Sequence, residues 1–385
     1  MTGMPTIIQR AQKEIPEDQL MDVGILVFES EELTEKAAED EGTNNDIRKA
    51  EGHFIPYHLK NTLSQSSQWG AVRVIPAETS SVDLLVKGEI LESNGENLGL
   101  RIDVTDAAGV TWFSKNYKAE ANRSTYTDNR LGEKDAFQDL YNTIANDLAT
   151  HRSKLTAEDF RQIQQVSELR AAHDMAPDAF DGHLEVDQDG RFEIVRLPAE
   201  SDPMLQRVRA IQLRDDMMVD TINSYYEVYY DDLWQPYSDW RKLYNEELVA
   251  MKEIKKQALT RQLLGLAAIV GGVAMSTNSN TSSSGLPGVM VVGGAAAIYS
   301  GFQKSQEARI HKDVIEELSI SFSSEAKPLV VEVVGETVRL TGTAEEQYKQ
   351  WRQMLREIYA SETGFPVAPQ NSDMEATSNQ PAEVM

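Results

Sequence analysis

Asn97-Leu98-Gly99-Leu100-Arg101-Ile102-Asp103-Val104-Thr105 is the stretch whose reading decides the fold. Leucine, leucine, isoleucine and valine recur at every second position, with polar or small residues between them. Successive side chains of a strand point to opposite faces, so this is a strand with one buried face. Three more strand-like segments surround it: 71–76, 82–91 and 109–117. Asn94-Gly95 and Ala108-Gly109 supply turns, which predicts a meander. Upstream, the apolar run Val23-Gly24-Ile25-Leu26-Val27-Phe28 reads as a buried strand. Between Arg48 and Leu63, Phe54, Tyr57, His58 and Leu59 recur at helical spacing, with Pro56 expected near a turn or a helix start. A helix over 134–150 closes the unit, with Phe137, Leu140, Tyr141, Ile144 and Leu148 on one face. The order β-α-β-β-β-β-α predicts an α/β domain over 21–150, folding alone, after an extended arm at 1–20.

Further along, Thr156-Ala157-Glu158-Asp159 has the form of a capping box, opening a helix to about Ala172. Asp189-Gly190 turns a hairpin over 182–197, so 151–200 is a connector of helix and hairpin. Two helices follow at about 203–233 and 238–262, parted by Pro236, and make a helical pair over 201–261. Then come a glycine-rich hairpin (262–303), an α-β-β-α module (304–362) and a tail (363–385) whose composition predicts disorder. The whole reads as an α+β, multi-domain protein.

The formal charge of −25 argues against nucleic acid, whose phosphates would be repelled. There is no cysteine, which removes thiol catalysis, disulfides and thiolate metal sites together. The start Met-Thr-Gly-Met-Pro is no signal peptide and holds no lipobox cysteine, so an exported protein would have to be a mature form or start upstream. The histidines, at 53, 58, 151, 173, 183 and 311, form no close metal pair. Glu185-Val186-Asp187-Gln188-Asp189-Gly190 looks like the opening of a calcium loop, but the twelfth position, which needs a bidentate glutamate, is Arg196. Phosphate-loop, nucleophile-elbow and kinase signatures are missing. No catalytic residue, cofactor or metal is expected.

Between Arg261 and Lys304 no residue is charged. Two apolar arms, 263–275 and 286–302, flank a run of serine, threonine and asparagine. Gly265, Gly271, Gly272, Gly288, Gly293, Gly294 and Gly301 are interleaved with alanines. Glycine weakens a helix in water by about 1 kcal/mol per site, yet small residues let helices approach closely in lipid. Each arm is shorter than the roughly 20 residues of a spanning helix. Lys252, Lys255, Lys256 and Arg261 precede the stretch, and Lys304, Arg309 and Lys312 follow it, which puts both ends on one side and suits anionic headgroups. Membrane insertion, self-association and an ordinary buried hairpin all fit.

At Asp83–Ile90, Leu100–Asp106 and Gly109–Trp112 the sequence resembles the curli-secretion-channel family of outer-membrane lipoproteins, over about 21–150. That family has a lipobox cysteine, absent here, and membrane β-hairpins, for which no strand pair is evident. Residues 262–303 resemble the glycine-zipper segments of bacterial surface antigens. Val330–Ala344, with helices expected at 305–321 and 344–360, resembles part of a BON domain. All three resemblances imply the bacterial cell envelope, periplasm or outer membrane.

Tyr225, Tyr226, Tyr229, Tyr230, Trp234, Tyr237, Trp240 and Tyr244 crowd one short stretch. Such side chains join apolar bodies to polar tips, so they suit a subunit interface, a membrane boundary or sugar rings, and equally a helix–helix core. The expected function is structural: a homo-oligomeric envelope component, with membrane lipid and other envelope proteins as partners. The alternative is a periplasmic module recognising peptidoglycan or a protein through the aromatics at 225–244.

Overall fold

The computed structural model describes residues 5–34, 36–38, 43–121, 125–126, 134–199, 201–274, 313–314, 317, 320, 329–333 and 336–364. Its centre is a mixed sheet of six strands: β1 (Val23–Leu26), β2 (Glu29–Ser30), β3 (Val72–Ile75), β4 (Leu84–Ser93), β5 (Asn97–Asp106) and β6 (Thr111–Glu120). The order is β3-β1-β4-β5-β6, with β2 beside the far half of β4. Leu98, Leu100, Ile102 and Val104 of β5 are all fully buried, as their alternation requires. β4, β5 and β6 form the expected antiparallel meander. β3 does not belong to it: it lies parallel to β1 at the sheet edge, because α1 (Asn45–Gln65) carries the chain back between them.

Pro56 lies deep inside α1, not at a turn or a helix start. A proline leaves the carbonyl four residues earlier without its helical donor. That carbonyl, Gly52 O, accepts the Phe28 amide at 2.9 Å, where the chain breaks between β1 and β2. Gly52 has no Cβ because Phe28 O lies 2.9 Å from where one would be. The irregularity of the helix thus satisfies the irregularity of the strand.

The closing helix is α2 (Gln138–Arg152), with Leu140, Tyr141, Ile144 and Leu148 buried. α3 (Ala157–Met175) opens on the expected capping box, Thr156 and Asp159 each bonding the other's backbone amide. A short α4 (Pro177–Phe180) leads into the β7–β8 hairpin (Leu184–Val186, Phe192–Ile194). Near the C-terminus, β9 (Leu329–Val333) and β10 (Glu336–Leu340) form a separate hairpin, and α6 (Ala344–Thr363) follows with its own capping box. Of the helix expected at 305–321 only residues 313–314, 317 and 320 are described, all of them helical, and the tail from 365 lies outside the described residues.

The two helices expected on either side of Pro236 are one. α5 runs from Pro203 to Ala274, 72 residues, about 108 Å at 1.5 Å per residue. Packing overrides the proline: Leu233 and Tyr237 are buried in the same core on either side of it. Asp232, whose carbonyl loses its donor, belongs to an exposed residue.

Candidate functional site

α5 packs along α1, α3, α6 and β3. At its start Leu205, Val208, Ile211 and Ile222 pack with α6 residues Tyr348, Trp351, Leu355 and Ile358. Asp215 accepts from Tyr348, Trp351 and Arg352, and Arg352 also reaches Asp174 of α3. A little further, the Asn223 amide accepts from Val74 N at 2.9 Å and donates to Val74 O at 2.8 Å. One side chain thus pairs with the sheet edge as a strand would.

Next comes the aromatic stretch. Tyr226, Tyr229, Tyr237 and Trp240 are buried within the chain itself, while Tyr225, Tyr230, Trp234 and Tyr244 are half-buried. Phe54 of α1 stacks with Tyr230 (centroids 4.7 Å) and meets Tyr237 edge-on (4.8 Å). His58, among Tyr141, Tyr230 and Trp234, is buried and so held below the ordinary histidine range. Gln138 spends its Nε2 donors on Thr62 and Asn142, so its Oε1 faces His58 Nε2 at 2.9 Å. The Nε2 proton follows, and Nδ1 accepts from the Tyr230 hydroxyl at 2.7 Å.

Beyond this seam lies a buried polar network that the sequence reading did not single out. Glu51 Oε1 accepts from Ser93 and Tyr237, each at 2.5 Å, and Oε2 faces Arg48 at 3.5 Å. Arg241 pairs with Asp135 at 3.1 Å, with its guanidinium over the rings of Tyr237 and Phe137. Asn245 donates to Gly95 O and Ala121 O. Gly95 is a turn residue whose Cβ would strike Arg241 O. The available signal was an Arg48–Glu51 pair among the apolar positions of a helix that buries Ile47, Phe54 and Ile55. The network ties α5 to the sheet, and among the described residues Arg241 Nε and Nη2 and Asn245 Oδ1 find no hydrogen-bond partner in it.

A cavity of about 520 Å³ opens between residues 77–80, α3 and α6, lined by Arg170, Asp174, Glu345, Lys349, Arg352 and Arg356 among others. Burial raises Glu345, but the hydrogen bond and charge of His53, with bonds from the Glu345 amide and Thr343, together hold it down at about 2. Its charges largely answer one another. A second, more polar cavity of about 450 Å³ holds Asp22, Asp83 and Asp216. Among the described residues no cluster of three histidine or acidic side chains could hold a metal.

Of the seven glycines singled out at 262–303, Gly265, Gly271 and Gly272 lie within α5. Gly288, Gly293, Gly294 and Gly301 fall outside the described residues. Among the described residues no helix is long and apolar enough to cross a membrane. Set against protein-family models, curated proteins and solved structures, the chain finds no match in any of the three.

Proposed function

We propose that this chain is a non-enzymatic scaffold of the bacterial cell envelope: an α/β head on a long helix that delivers the glycine-rich stretch 262–303 to other copies of itself, at or near a membrane. The observation that carries this reading is the continuity of α5. Asn245 ties it to the head through Gly95 O and Ala121 O. The helix goes on to Ala274, about 44 Å further along its axis. It does so through Gly265, Gly271 and Gly272, which lower helix stability in water. Helices in proteins draw most of their stability from packing, and a run of glycines favours packing that is close. Close packing of small residues on neighbouring copies is the partner that glycines suit.

The aromatic stretch favours this reading over a periplasmic binding module. Tyr226, Tyr229, Tyr237 and Trp240 are already committed to the chain's own core.

Sedimentation of the full chain and of a chain lacking 262–303, with and without detergent, tests the proposal. The full chain should form a discrete, detergent-sensitive oligomer. The deleted chain should be smaller and melt as a folded head. A full chain that is monomeric in both conditions sinks the scaffold reading.

A further inference from the structure

The N-terminal arm is laid along α2 in a way that reads backbone, not side chains. Asp139, Asn142 and Asn146 are spaced three and four apart, which lines them up on one helix face. Asp139 accepts from Thr6 N at 3.1 Å, and Asn142 donates to Thr6 O at 2.7 Å. Asn146 accepts from Gln9 N at 2.7 Å and donates to Ile7 O at 2.9 Å. Gln68 donates to Gln9 O, and Ala11 N donates to Ser66 O. Every one of these bonds ends on a main-chain group of the arm. The face is held ready: Asn142 Oδ1 accepts from Gln138, which is itself fixed by buried His58.

The arm contributes little in return. No residue from Pro5 to Leu20 is buried, and Ile7 is 82% exposed. Only Ile8 packs against the core. A segment held by surface hydrogen bonds, with one apolar side chain inserted, barely offsets the entropy of ordering it. Arms held in this way are the kind that copies of a chain exchange, because a face that reads main chain does not distinguish its own segment from the same segment of another copy.

We propose that the Asp139–Asn142–Asn146 face is a backbone-reading site for an extended segment, and that in the assembled protein it takes residues 6–11 of a second copy. The partner half of this inference rests on the scaffold reading, which brings copies together. The recognition half stands without it.

The test uses a chain lacking residues 1–12 and a labelled synthetic peptide of residues 1–13. Anisotropy should show saturable binding, weakened at least about tenfold by Asn142→Ala with Asn146→Ala, which removes amide bonds to the main chain. A peptide with alanine everywhere except Ile8 should bind almost as well, and Ile8→Asp should lose binding. An unchanged melting transition in both protein variants shows that the head is intact. No saturable binding, or equal binding to the Asn142→Ala/Asn146→Ala chain, overturns the site. For the second copy, the arm-deleted chain is mixed with the full-length Asn142→Ala/Asn146→Ala chain. A pair that excess peptide dissolves is expected. A pair that resists the peptide, or none, overturns arm exchange. Deleting 262–303 from both partners leaves this readout in place, so failure of the scaffold reading is distinguishable.

Discussion

Asp83 shows how one carboxylate sets a pH response. Burial pushes it up to about 6, its neighbour Asp22 adds to the rise, and the hydrogen bond from the Asp22 amide (2.9 Å) works against it. A folded-state value above the unfolded one means that the folded protein holds this proton more tightly. The stabilisation is complete below the unfolded value near 4 and is lost as pH rises through about 6. Asp83→Asn keeps an acceptor for the Asp22 amide and removes the charge. The variant should melt higher than the parent at pH 7.5 and level with it at pH 4, as read by thermal scans across that range. His58, lowered by burial, works in the opposite direction, contributing above the ordinary histidine range and losing its contribution on acidification. At this scale the sequence was legible only in part. The alternation at Leu98 to Val104 named its buried face correctly. Glu51, Asp135 and Arg241 are indistinguishable from surface charges until tertiary structure brings them together. No local spacing encodes an encounter between residues so far apart in the chain.

Among the elements, the prolines misled most. Pro56 and Pro236 carry a local penalty of about 3 kcal/mol each, enough to end an isolated helix. Both sit inside helices because the surroundings compensate. The Gly52 carbonyl finds Phe28, and α5 is gripped on both sides of Pro236. The cap at Thr156, the hairpin at Asp189-Gly190 and the meander turns were legible because their chemistry is local. β3 was placed wrongly because a short apolar strand carries no mark of its neighbour. The glycines make an element-level prediction. Leu at Gly272, inside α5, or at Gly293 improves helix propensity by up to about 1 kcal/mol. If the stretch packs closely on other copies, either change should nonetheless abolish the oligomer, whereas Ala268→Leu serves as the comparison. Oligomer size by sedimentation decides it. Normal assembly of Gly271→Leu, Gly272→Leu, Gly293→Leu and Gly294→Leu would leave an apolar anchor without a zipper.

At the scale of the whole molecule, the core ignores the boundary expected at residue 150. The cluster around β5 includes Phe160 and Ile163 of α3, and Tyr229, Leu233, Tyr237 and Trp240 of α5. Residues 21–150 alone would expose that face and strand Glu51 and Asp135 without Tyr237 and Arg241. The isolated segment should therefore unfold without a sharp transition in urea, while a chain lacking only 262–303 keeps one. A sharp transition for 21–150 would show that α5 is an accessory to the head and not part of it. The unbroken course of α5 has one more consequence. A helix is a screw as well as a rod: each residue added turns everything beyond it by 100° and advances it by 1.5 Å. Because α5 is locked to the head as far as Asn245, its far end inherits an azimuth from the sheet. Inserting two alanines after Ala250 should swing the glycine face to the wrong side and disperse the oligomer. Inserting seven lengthens the rod by about 10 Å but restores the phase to within about 20°, and assembly should return.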